Sequence, residues 1–156
     1  MILVPAEYDV MPLVVTGGTK GIGRAIANRF AQEGYDIATC SRTPEDLMRM
    51  SEEISRQYGV DVYTSVADLS EKAQAMGFVS FVKQLQKDIR ILVNNAGGFE
   101  MGALLEEPRG LMERMMAINY YSAYWVTKGL LPLMLESASA GHLFNICSIG
   151  SVTHRA

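Results

Sequence analysis

Cysteine is nearly absent from this sequence: two in 156 residues, Cys40 and Cys147, each inside an apolar run. They make no CxxC pair and no metal-ligand spacing with the two histidines, His142 and His154, so neither a disulfide framework nor a metal site is expected. Reduced thiols in a cytoplasmic protein fit that pattern. Long apolar runs are also missing. Lys128 and Pro132 interrupt the longest candidate, short of the ~18 residues a membrane helix requires, and no basic, apolar, small-residue leader opens the chain. Clustered positive charge is missing too, since the 14 Lys and Arg residues are scattered and the net charge is −3, which argues against nucleic acid and anionic membranes as partners. What is present, 49% apolar and 20% charged residues, is the balance of one compact domain with a real core.

One stretch organises the rest. Thr16-Gly17-Gly18-Thr19-Lys20-Gly21-Ile22-Gly23 lies between the apolar run Leu13-Val14-Val15 and an amphipathic segment beginning at Ile22, which reads as strand, tight turn and helix start. Glycines at 17, 21 and 23 allow positive φ and let a phosphate approach the backbone. Unpartnered amides and the dipole at the start of the helix suit the turn to an anion.

From there short β-favouring runs alternate with helices. The first helix carries Ile22, Ala25, Ile26 and Phe30 on one apolar face and stops at Gly34. Tyr35 to Cys40 reads as a strand, and Thr43-Pro44-Glu45-Asp46 opens a helix, with Thr43 as its cap, that runs to Tyr58 before Gly59. Val60 to Val66 is a third strand, followed by a helix from Ser70 with Phe78, Val82 and Leu85 on one face. Ile89 to Val93 runs into Asn94-Asn95-Ala96-Gly97. Pro108 opens a helix through Ile118, a longer one from Asn119 to Ser137 is apolar nearly all round, and Gly141 to Cys147 is a fifth strand. This alternation predicts βαβ units in a doubly wound parallel α/β sheet, with residues 11 to 156 as its domain and Met1 to Val10 as an upstream extension. Ligands of such a sheet bind where its strands end, and those ends carry the glycine turn, Ser41-Arg42, Asp68, Asn94 to Gly97 and Ser148.

An NAD-specific site usually has an acid about 20 residues past the glycines, to accept from the ribose 2′-hydroxyl. Here that place holds Ser41 and Arg42. Arginine can pair with a 2′-phosphate through two charge-assisted bonds and serine can donate a third, so the pair favours NADP(H), with Lys20 as a second cation. The nearest acid, Asp36, precedes its strand and is expected at the wrong end of it.

TGGTKGIG at 16 to 23 together with NNAG at 94 to 97 resembles the short-chain dehydrogenase/reductase family. The resemblance continues through Asp68, Asn119, Leu131-Pro132-Leu133-Met134 and Asn145-Ile146-Cys147-Ser148. It implies a Rossmann fold and hydride transfer between a nicotinamide and a small-molecule carbonyl or alcohol substrate. It implies that Gly17, Thr19, Lys20, Gly21, Ile22 and Gly23 surround the pyrophosphate and its ribose, and that Ser41 and Arg42 meet the 2′-phosphate. Asp68 and Leu69 would hold the adenine, with Asn95, Ala96 and Gly97 lining the adenine ribose. Ser148 would polarise the substrate oxygen, and Asn119 would help position a water in a proton relay.

The family's acid/base tyrosine and its lysine, a Tyr-x-x-x-Lys motif about a dozen residues beyond Ser148, are not among the 156 residues. Tyr124 and Lys128 share that spacing but belong to the helix after Asn119, away from the strand ends. Two further strand-helix units of the family are also absent, so the fold is expected to be incomplete on its C-terminal side and the sequence to be a piece of a longer protein. A catalytically inactive NADP(H)-binding module acting through a partner is the alternative. A homo-oligomer, dimer or tetramer, packed through the helix bearing Tyr120, Tyr121, Tyr124 and Trp125, is expected of the full-length form. Phe99, Glu100 and Met101 are expected to border the substrate pocket.

Overall fold

A computed structural model describes residues 12–100, 103–137 and 140–148. Met1 to Val10, the expected extension, lie outside the described residues. Elements follow in the order β1 (Leu13–Thr16), α1 (Gly21–Gln32), β2 (Ile37–Ser41), α2 (Pro44–Tyr58), β3 (Val62–Val66), α3 (Lys72–Gln84) and β4 (Ile91–Asn94). After a 3-10 turn at Leu104–Glu106 come α4 (Leu111–Met116), a π turn (Ala117–Tyr121), α5 (Ser122–Glu136) and β5 (His142–Asn145).

The five strands are all parallel, in the order β3-β2-β1-β4-β5. Strand side chains alternate between two layers, and β1 shows why both faces are covered. Leu13 and Val15 pack with Ala27 and Ala31 of α1 and Met50 and Ile54 of α2, while Val14 packs with Phe78 and Val79 of α3 and Val126 and Leu130 of α5. The fold is therefore the doubly wound Rossmann arrangement. Its strand order reverses at β1, between β2 and β4, which opens a crevice at the carboxyl ends of the strands.

Several local expectations are corrected. α1 turns a stripe of small residues inward, Gly23, Ala27 and Ala31, and leaves Ile22 61% exposed and Ala25 exposed. The reason is close approach: a Cβ on Gly23 would lie 2.4 Å from Gly17 O and from Asn95 Nδ2. Thr43 precedes α2 but makes no side-chain cap. α3 starts at Lys72, because Ser70 is held in a turn by Asp68. Pro108 does not open a helix; Gly110, at φ +82, precedes α4. Nor is there a break at Asn119, since α4 runs through the π turn into α5, which buries one face (Ser122, Val126, Leu130, Met134) and exposes Tyr124, Leu131 and Leu135. β5 forms one edge of the sheet, and all four of its residues are exposed.

Candidate functional site

Two turns at adjacent strand ends are stitched together. The hydroxyl of Thr16, a residue 2% exposed, accepts from the backbone N–H groups of Asn95 and Ala96 at 2.9 Å each. In return Asn95 Nδ2 donates to Thr16 O at 3.0 Å and Gly17 O at 3.2 Å. A third strand joins them: Thr39 Oγ1 accepts from Gly18 N–H at 3.0 Å and donates to Val15 O at 2.7 Å, and Gly17 N–H donates to Cys40 O at 3.1 Å. Gly17 takes φ +66, which a side chain would strain, and its Cβ would press on Ala96 Cα at 3.3 Å. Lys20 sits at the N-cap position of α1 in extended conformation, so the amides of Gly21, Ile22 and Gly23 begin the helix without intrahelical partners.

Beside these turns lies a cavity of about 610 Å³. Of the residues picked out in the sequence, Gly17, Thr19, Lys20, Ser41, Arg42, Asp68, Leu69, Asn95, Ala96 and Gly97 line it, as do Phe99 and Glu100. Met101 lies outside the described residues. Gly21, Ile22 and Gly23 are not part of the lining. Neither is Asn119, whose amide pairs with both backbone groups of Gly98 (Gly98 N–H to Oδ1 at 3.0 Å, Nδ2 to Gly98 O at 2.9 Å) and so holds a segment that does line the cavity. Ser148, beyond β5, is exposed and also outside the lining. Tyr124 and Lys128 contact each other at 3.2 Å on the exposed side of α5, away from the cavity.

The polar groups of the cavity are arranged by their neighbours. Ser41 Oγ accepts from the Thr19 hydroxyl at 3.3 Å and from Thr43 N–H at 3.4 Å, which leaves its own hydrogen to donate outward. Asp68 Oδ1 accepts from Ser70 N–H at 3.0 Å and Ser70 Oγ at 2.7 Å. Two of the cavity's cations are paired with acids, Lys20 with Asp46 at 2.5 Å and Arg114 with Glu100 at 3.3 Å, whereas Arg42 has no acid partner among the described residues. The hydrogen bond from Lys20, helped by its charge and that of Arg49, holds the Asp46 carboxyl below its ordinary value despite some desolvation. Burial pushes the Cys40 thiol up to about 12, against a lowering contact from the Gly17 backbone, so the sulfur under the turn stays protonated. Among the described residues no cluster of three or more His, Cys, Asp or Glu is placed to hold a metal, and no helix is long and apolar enough to cross a membrane.

The sequence places Thr16 in the glycine stretch but gives its hydroxyl no role, and it does not bring Thr39 or Asp46 to this site. The two threonines look like ordinary β-formers, and their partners are 21 and 79 positions away. Asp46 reads as an acid favourable to its own helix, and only the fold brings Lys20 to it.

A parallel sheet with a glycine turn at its switch point and a cavity beside it defines a Rossmann-type nucleotide-binding protein. A family model described as short chain dehydrogenase matches residues 12–156. Dehydrogenase/reductase SDR family member 7B of Bos taurus is 34% identical over 142 residues, which cover 88% of this chain and 43% of that protein. The solved RhlG/NADP active-site complex of Pseudomonas aeruginosa has 33% identity and a TM-score of 0.85, covering 94% of this chain and 57% of that one. A metagenomic short-chain oxidoreductase solved in complex with NADP has 30% identity and a TM-score of 0.82, covering 90% and 63%. The chain belongs to the short-chain dehydrogenase/reductase family, and it spans about half the length of the curated relatives it matches.

Proposed function

We propose that this chain is the NADP(H)-binding portion of an oxidoreductase that moves a hydride between the nicotinamide and a small carbonyl or alcohol substrate. The observation that carries the cofactor assignment is the pairing of a glycine turn, in which Gly17 takes a positive φ and Gly23 leaves no room for a side chain, with Ser41 and the acid-free Arg42 in the lining of the same cavity as Gly17. A cavity of this volume suits part of a dinucleotide. Two related structures, named above, were solved with NADP.

In this reading the first-turn amides of α1 and the turn around Gly17 receive the pyrophosphate. Arg42 and Ser41 meet the 2′-phosphate, Asp68 and Leu69 hold the adenine, and Asn95, Ala96 and Gly97 line the adenosine ribose. The bound nicotinamide supplies or accepts the hydride. Ser148 donates a hydrogen bond to the substrate oxygen as negative charge develops there. Asn119 fixes the Gly98 backbone beside the cavity and takes part in proton relay. The proton itself is assigned to the family's tyrosine, which is not among these residues. We also assign the protein to the cytoplasm and to a homo-oligomer, the latter on the exposed aromatic group Tyr120, Tyr121 and Tyr124 flanking Trp125.

Arg42→Ala tests the cofactor assignment. NADPH affinity is expected to fall by about 1.5–3 kcal/mol, the value of a charge-assisted contact, with NADH affinity unchanged. Equal losses for the two dinucleotides in a calorimetric titration would refute it.

A further inference from the structure

The lysine of the glycine turn is not free to meet a phosphate. Lys20 Nζ lies 2.5 Å from Asp46 Oδ2, and the other carboxylate oxygen of Asp46 takes Arg49 Nη2 at 2.5 Å. The two partners differ in freedom. The Asp46 side chain is 10% exposed, fixed in the first turn of α2 and held from two sides, whereas the Lys20 side chain is 71% exposed on a flexible stem. Both line the cavity with Ser41 and Arg42, and Asp46 stands four residues beyond Arg42 on the helix that the Ser41-Arg42 loop leads into. A phosphate arriving at Ser41 and Arg42 therefore meets one available cation and one cation already held by a carboxylate.

We infer that Asp46 is a specificity-determining residue, which by engaging Lys20 limits how strongly the site prefers NADP(H) over NAD(H). The inference rests on the NADP(H) reading above. NADPH must share the ammonium with Asp46 or draw it away from that carboxylate. NADH has no 2′-phosphate and is indifferent to the pair. Arg49, outside the cavity lining, keeps Asp46 compensated when Lys20 moves.

A double-mutant cycle read by dinucleotide titration tests this. Asp46→Asn is expected to tighten NADPH binding about three- to tenfold and to leave NADH within twofold, since one charge pair near the surface is released to the phosphate. In the Lys20→Met background the same substitution is expected to change NADPH binding by less than about twofold, because no ammonium is left to release. A merely structural role for Asp46 at the start of α2 would move both dinucleotides together. Weaker or unchanged NADPH binding by Asp46→Asn, or an equal gain with and without Lys20, overturns the inference while NADPH binding by the unmodified protein still stands. Failure of the unmodified protein to bind NADPH overturns the cofactor reading and this inference with it.

Discussion

Single side chains at the site act through backbone groups that are distant in sequence. Thr16 is the clearest case: one hydroxyl satisfies two N–H donors of the β4 turn, so the glycine turn and the Asn95-Ala96 wall keep one spacing. Asp46 joins two cations in the same way, and its lowered carboxyl makes the pairing visible in acid stability. A carboxyl held below its ordinary value of 3.8 contributes stability that is complete above that value and is lost as pH falls through the lower folded value. The melting temperature of Asp46→Asn should therefore trail the unmodified protein by a constant margin from about pH 8 to about pH 5, and the margin should close only in stronger acid. A margin that widens on acidification would contradict the ion pairing.

Helices are placed by what they lack as much as by what they bury. α1 presents Gly23, Ala27 and Ala31 to the sheet because its first turn must come within contact of Asn95 and Gly17, and the larger Ile26 and Phe30 fill in at the flank. The same logic joins α3 to α5. A Cβ on Gly129 would lie 2.6 Å from Val79 Cγ1, so these helices meet closely at that glycine. Gly129→Val is expected to destabilise the fold by about 1–3 kcal/mol through overpacking, despite valine's better helix propensity, as measured by urea denaturation. An unchanged midpoint would show that α3 and α5 can move apart freely. At the other end of the strands, Asp36 accepts from Asp61 N–H at 2.9 Å and pairs with Lys87 at 2.9 Å, far from the cavity, and the pairing holds the lysine above its ordinary range.

For the molecule as a whole, the alternation of short apolar runs with amphipathic segments made the parallel sheet legible, and the spacing of glycines made its binding edge legible. Strand starts followed less well: β3 and β4 each begin two residues later than the pattern suggests, and Val60 and Ile89 are buried outside the ladder. Of the face expected for α1, Ile26 and Phe30 pack against the core while Ile22 and Ala25 are exposed, because hydrophobicity marks large side chains and close approach selects the small Gly23, Ala27 and Ala31. Ten of the cofactor residues drawn from the sequence converge on one cavity, yet Gly21, Ile22, Gly23, Asn119 and Ser148 do not line it. Gly21, Ile22 and Gly23 form the first turn of α1, beyond the lining residues Thr19 and Lys20, and Ser148 follows an edge strand whose residues are exposed. Thr16, Thr39 and Asp46 were illegible because their roles depend on partners brought together only by folding.

In the proposed function the cavity takes a dinucleotide and distinguishes its 2′-phosphate. Calorimetric titration of the protein with NADPH and, separately, NADH measures both parts at once. Saturable binding of NADPH with a dissociation constant below that of NADH is expected; no binding of either, or tighter binding of NADH, would overturn the NADP(H) assignment.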